Sequence, residues 1–120
     1  VFEHESRLAA NYIKTASDDF RALARKAAPG IWSAVPGEHG TTRLLARNAE
    51  EIAVVTGVWA PTTARYLTVL APDTAYLVAE LMWLSADEIR KGALPTRLRT
   101  ATLELAKGIT KAQAPSSRTP

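Results

Sequence analysis

Cysteine is absent from the 120-residue chain, which excludes disulfide staples and thiolate metal sites and leaves packing alone to hold the fold. Histidine is scarce. His4 and His39 stand far apart, neither has a second histidine at helical spacing, and no combination with carboxylates has the ligand spacing of a zinc site. No apolar run approaches the ~20 residues needed to cross a bilayer. The acidic start Val1-Phe2-Glu3-His4-Glu5 lacks the basic segment, apolar stretch and small-residue cleavage site of a secretory signal. A soluble, cytoplasmic protein with no membrane association is the expectation. Val1 in place of Met, with much Ala and Arg, fits a GTG start in a GC-rich genome and a trimmed chain equally.

Catalytic signatures are missing as well. The glycines at 30, 37, 40 and 57 form neither G-x-x-x-x-G-K-[ST] nor G-x-G-x-x-G, and there is no G-x-S-x-G elbow. Carboxylate pairs occur at Asp18-Asp19, Glu50-Glu51 and Asp87-Glu88. Adjacent side chains point to different sides of a helix or strand, so none of these pairs converges on one substrate atom. The sequence therefore predicts a protein without catalytic residues, metal or cofactor, one that binds rather than reacts.

What is present is an ordinary globular composition, 47% hydrophobic and 22% charged, in a chain long enough for one hydrophobic core. The charge is uneven. From Ile89 onward, Arg90, Lys91, Arg97, Arg99, Lys107, Lys111 and Arg118 face only Glu104, whereas the first 88 residues hold eight basic residues against eleven acids. Such a segment is either an arm for nucleic acid or another acidic partner, or a solvated helix face.

Along the chain, Leu8, Tyr12 with Ile13, Ala16, Phe20, Leu23 with Ala24, and Ala27 carry the three-and-four spacing of an amphipathic helix ending at Pro29-Gly30. Ser17 before Asp18-Asp19 reads as an internal N-cap, so this stretch is one helix or a pair meeting near Ser17. Three short stretches of β character follow, 31–35, 42–46 and 51–56, separated by loop-forming residues. Too small to stand alone, a sheet of two or three such strands has to be covered by helices. After Gly57, Pro61 opens a helix with Ala64, Leu67, Leu70 and Ala71 on one side. Pro72-Asp73 opens another, with Tyr76, Leu77, Leu81, Leu84 and Ile89 as its stripe and Trp83 on a neighbouring face, and Gly92 stops it. A last helix runs from Thr96 to about Lys107 with Gly108 as its stop. The expected fold is α+β: an N-terminal helix or helix pair, a small two- to three-stranded antiparallel sheet, and three C-terminal helices packed on it. The expected organisation is a single domain over residues 1–112 with a flexible tail, 113–120.

Three pieces in this order carry a resemblance: Ala27-Ala28-Pro29-Gly30-Ile31-Trp32 after a helix, Glu51-Ile52-Ala53-Val54-Val55-Thr56-Gly57 as a strand, and Ala64-Arg65-Tyr66-Leu67 leading through Ala71-Pro72-Asp73-Thr74 into Leu77-Val78-Ala79-Glu80-Leu81. Together they resemble small accessory proteins from the early regions of phages and prophages, the lambdoid ead-like group, with their PGPW motif, strand, Ala-rich helix and Leu-x-x-Glu-Leu helix. The match spans roughly Asp18 to Arg90; Ile31 replaces the second Pro, and Tyr66 stands where Phe is commoner. The resemblance implies a phage-derived context in a bacterial host, where such proteins bind host enzymes, defence factors or their signals. It brings no catalytic residues.

Among the aromatics, Trp32 reads as a core anchor. Trp59, in the loop Gly57-Val58-Trp59-Ala60-Pro61, is either core or an exposed contact residue. Trp83 and Tyr76 widen the apolar arc of their helix beyond one small core, which suggests a homodimer. The candidate binding residues are accordingly Trp59, Tyr76, Trp83, Arg90, Lys91, Arg97 and Arg99. The leading expectation is a non-enzymatic accessory protein that inhibits or sequesters a host protein through a protein interface. Alternatives are an oligomeric sponge for a nucleotide immune signal, drawing on Arg and aromatic side chains, and a basic nucleic-acid-binding protein. Arg97 and Arg99, two apart and so about 200° around a helix, do not make a groove-reading stripe.

Overall fold

In the computed structural model, which describes residues 2–113, the chain forms α1 (Phe2–Lys26), β1 (Ser33–Pro36), a single 3₁₀ turn (Glu38–Gly40), β2 (Thr42–Leu45), β3 (Glu51–Val55), α2 (Ala60–Val69), α3 (Pro72–Arg90) and α4 (Thr96–Gln113). The expected α+β order of N-terminal helix, antiparallel sheet and C-terminal helices is thus the observed one. Gln113 closes α4, and the remainder of the expected tail, 114–120, lies outside the described residues. The chain divides into two compact units, residues 21–77 and, together, residues 1–20 and 78–120.

The first unit holds the sheet, an antiparallel meander in the order β1-β2-β3. Its register pairs Val35 with Arg43 and Arg43 with Val54, and it slips between Leu44 and Leu45. Alternation along β2 buries Thr42 and Leu44 and leaves Arg43 and Leu45 half-buried. Helix α2 packs on this sheet with Ala60 and Ala64 fully buried. Small inward residues let the helix lie close to the strands. Trp32 is half-buried and its indole N–H donates to the Ala28 carbonyl at 2.9 Å, which ties the chain entering β1 to the end of α1.

The second unit is a helical core. Ala10, Ile13 and Ala16 of α1 cluster with Met82, Ala86 and Ile89 of α3 and Ala106 of α4, and Val78, Leu94, Leu103 and Ile109 pack against them. Here one open alternative is decided and two local expectations are corrected. Helix α1 is one uninterrupted helix, because the Ser17 hydroxyl, fully buried, donates to the Ala79 carbonyl of α3 at 2.6 Å instead of capping its own chain. Helix α4 does not stop at Gly108. A left-handed glycine does end α3 at Gly92 (φ 72), where the Gly92 and Ala93 amides bond back to Ile89 and Glu88. Gly108 has no positive φ, and Ile109 just beyond it packs on the core, so burial carries the helix onward.

The second correction concerns the helix faces. The leucine stripe of α3 expected inside lies outside, Leu77, Leu81 and Leu84 being 68%, 65% and 56% exposed, and Leu8 of the stripe expected on α1 is exposed too, as are Leu98 and Leu105 of α4. The buried face of α3 is Ala75, Ala79, Met82, Ala86 and Ile89, the same 3.6-residue period turned to the other side. Leu44 is the only leucine among the buried described residues.

Because Gly108 is helical and open space surrounds its Cα, Gly108→Ala is expected to stabilise the chain by about 0.5–1 kcal/mol. Chemical denaturation checks this; a loss of stability would mean that α4 ends at Gly108.

Candidate functional site

The two most exposed large apolar side chains of the sheet-containing unit, Val58 and Trp59, stand at the start of α2. Gly57 (φ 95) makes the turn out of β3 in a conformation that side chains resist. Its carbonyl accepts the Ala60 N–H at 3.1 Å, and the Trp59 carbonyl accepts the Thr63 N–H at 2.9 Å, while Pro61 sits in the first helical turn. The backbone around Trp59 is therefore fixed without help from its indole, which makes no capping bond. With Ala60 and Ala64 turned to the sheet, Trp59 (76% exposed), Tyr66 (62%) and Leu70 follow one another on the outer side of α2, the first two about 10 Å apart along the axis. Val58, beside Trp59, is 86% exposed. Tyr76, also in this unit, is half-buried.

On the outward sheet face, Arg43 donates through Nε to Glu51 Oε1 at 2.6 Å, within an open concavity of about 730 Å³ that Pro36, His39 and Val54 also line. An exposed pair of this kind contributes little to stability. Among the described residues no group of histidine and carboxylate side chains could hold a metal ion.

In the helical unit, Trp83 is half-buried and serves as a platform for a lysine. The Lys14 ammonium lies 4.6 Å from the Trp83 ring centroid and 2.7 Å from Asp87 Oδ1. Trp83 and Asp87 are four residues apart on α3 and so share a face. This cation–π and ionic clamp assigns Trp83 an internal role. Sequence reasoning missed Lys14 and Asp87; the Trp83-Asp87 spacing was a signal, but nothing local indicated which lysine would arrive from α1.

The hydrogen bond from Lys14 holds the Asp87 carboxyl below its ordinary range, and the positive charges of Lys14, Arg90 and Lys91 act in the same direction against partial desolvation. With the folded value depressed, this stabilisation is complete above the unfolded value near pH 4 and is lost as pH falls through the folded value. Asp87→Asn is accordingly expected to lower Tm at pH 7, with the gap to the parent narrowing as pH drops below about 4. A melting series across pH for both proteins checks it, and a constant gap would contradict the clamp.

Half of the described bases of the C-terminal segment are answered locally. Arg90 lies 3.6 Å from Asp87, Lys91 pairs with Glu88 at 3.4 Å, and Lys107 pairs with Glu104 at 3.2 Å. Arg97 is exposed and Arg99 half-buried, neither with an ion-pair partner among the described residues. Arg99 lines a groove of about 330 Å³ together with Glu5, Glu104 and Lys107, so its charges are mixed in sign. Between α3 and α4 a second groove, about 310 Å³, is mostly apolar, with Leu81, Met82, Leu94, Leu98 and Leu105 in its wall.

No single helix among the described residues is long and apolar enough to cross a membrane. No protein-family model, curated protein or solved structure matches the chain.

Proposed function

We propose that this chain is a non-catalytic accessory protein of phage type that works in the bacterial cytoplasm, inhibiting or sequestering a host protein through an interface centred on Trp59. The observation that carries this reading is the 76% exposure of Trp59 on a backbone fixed by its own hydrogen bonds, with Val58 and Tyr66 exposed beside it. Tryptophan and tyrosine are the residue types most enriched at interface hot spots, and each buries about 150–250 Å² when covered. A preset backbone lowers the ordering cost of docking. The resemblance to phage early-region accessory proteins makes a bacterial protein the partner.

The test is comparative capture from bacterial lysate with the chain and with Trp59→Ala, followed by reconstitution of the complex from purified components. A partner retained by the first bait, lost by the second and re-bound in purified form supports the reading. Equal retention by both baits contradicts the Trp59 interface. Stabilisation by a cyclic dinucleotide, with no protein partner, would favour the signal-sponge alternative; at a hundred times its dissociation constant a ligand adds about 2.7 kcal/mol.

A further inference from the structure

We infer that a small cleft between the β1–β2 turn and the start of α2 is a binding site for a monocarboxylate with a short hydrocarbon body. The cleft, about 330 Å³, belongs entirely to the sheet-containing unit, and Ala34, Val35, Pro36 and Pro61 supply its apolar walls. Alternation along β2 turns Thr42 to the side of the sheet that α2 covers, the side of Leu44. Thr42 is only 7% exposed, yet its hydroxyl makes no hydrogen bond among the described residues. The hydroxyl of its neighbour Thr41, by contrast, donates to the Glu38 carbonyl at 2.6 Å. No side-chain oxygen or nitrogen among the described residues is both sealed and unpaired, so the Thr42 oxygen opens onto the cleft. What enters the cleft, water or a ligand, is what satisfies it.

Arg65 reaches the same cleft from α2. Four residues after Pro61, it shares that residue's face of the helix, and it is exposed with no ion-pair partner among the described residues. Among the described residues no carboxylate lines the cleft, so its formal charge is that of one guanidinium. The first turn of α2, where Pro61 stands, adds the positive end of a helix dipole. These groups select the ligand. The guanidinium fork takes both oxygens of a carboxylate, and the Thr42 O–H donates to one of them. One positive charge answers one negative charge, whereas a phosphate monoester would keep much of its second charge unanswered. Apolar walls favour a hydrocarbon body over a sugar, and the volume admits only a small one. The cleft uses none of Val58, Trp59 and Tyr66, so the assignment stands or falls independently of the interface proposed above.

Titration of the full chain with benzoate, followed through backbone-amide NMR shifts, is the test. Saturable shifts are expected at Gly37, Thr42 and Arg65, with a dissociation constant of about 1 mM or below. Benzamide, the neutral counterpart, and methyl phosphate are each expected to bind at least about ten-fold more weakly. Thr42→Val, which keeps the shape and removes the hydroxyl, is expected to raise Tm while weakening benzoate about ten-fold. Arg65→Gln is expected to weaken benzoate by at least about ten-fold with Tm unchanged. The absence of a saturable shift up to about 10 mM benzoate overturns the inference. So does benzamide or methyl phosphate binding as tightly as benzoate, or full benzoate affinity in either variant.

Discussion

Replacing Met82 by alanine is expected to cost about 2–5 kcal/mol of unfolding free energy, whereas replacing its neighbour Leu81, in chain dilute enough to be monomeric, is expected to change it by no more than about 0.5 kcal/mol. Met82 is 1% exposed and belongs to the cluster that joins α1, α3 and α4, while Leu81 is 65% exposed. Truncating the first removes methylene and sulfur contacts and leaves a cavity between helices that are held close by alanines on every side. Truncating the second removes atoms that already face water. On hydrophobicity alone the order would be reversed, since leucine is the stronger apolar residue and continues the Leu77-Leu81-Leu84 stripe. Urea unfolding of the two variants decides between the two faces.

The boundaries of the elements were legible because they are punctuated. Pro29-Gly30 follows α1, Gly57 turns the chain into α2, Pro72-Asp73 opens α3 and Gly92 closes it. Each of these acts through backbone sterics that need no knowledge of the rest of the chain. The choice of helix face was not legible in the same way. Helices α1 and α3 each carry two stripes at helical spacing, one rich in leucine and a smaller one in which alanines alternate with Ile13, Met82 and Ile89. The small one lies inside because three helices meet where Ala10, Ala16, Ala86 and Ala106 allow close approach and where the Ser17 hydroxyl reaches the Ala79 carbonyl. Ser17 illustrates the general difficulty. Its position before two aspartates mimics a cap, yet its partner is 62 residues away. Gly108 is ambiguous for the same reason, since only the packing of Ile109 on distant residues tells a glycine inside a helix from one at its end.

For the candidate site, Trp59 was legible as a choice between core and surface, and the exposure of its indole resolves that choice. Trp83 counts as surplus apolar surface in the sequence alone, whereas in the structure Lys14, supplied by another helix, covers one of its faces. The excess charge of the C-terminal segment is plain in the sequence, but Asp87, Glu88 and Glu104 answer three of its bases at i,i+3 spacing. Pairs at that spacing could have been found by inspection.

The second large effect concerns recognition. Trp59→Ala is expected to leave unfolding within about 0.5 kcal/mol of the parent, because the turn at Gly57 and the first hydrogen bonds of α2 do not use the indole. It is expected to weaken the protein partner by about 2 kcal/mol or more, roughly thirty-fold in dissociation constant. Conservative replacement by phenylalanine should recover part of that loss, since a flat apolar ring remains. Titration calorimetry of the purified partner against the parent chain and Trp59→Ala is the most direct measurement of the central claim. The expected result is a loss of at least about thirty-fold in affinity with both proteins equally folded; indistinguishable isotherms would contradict it.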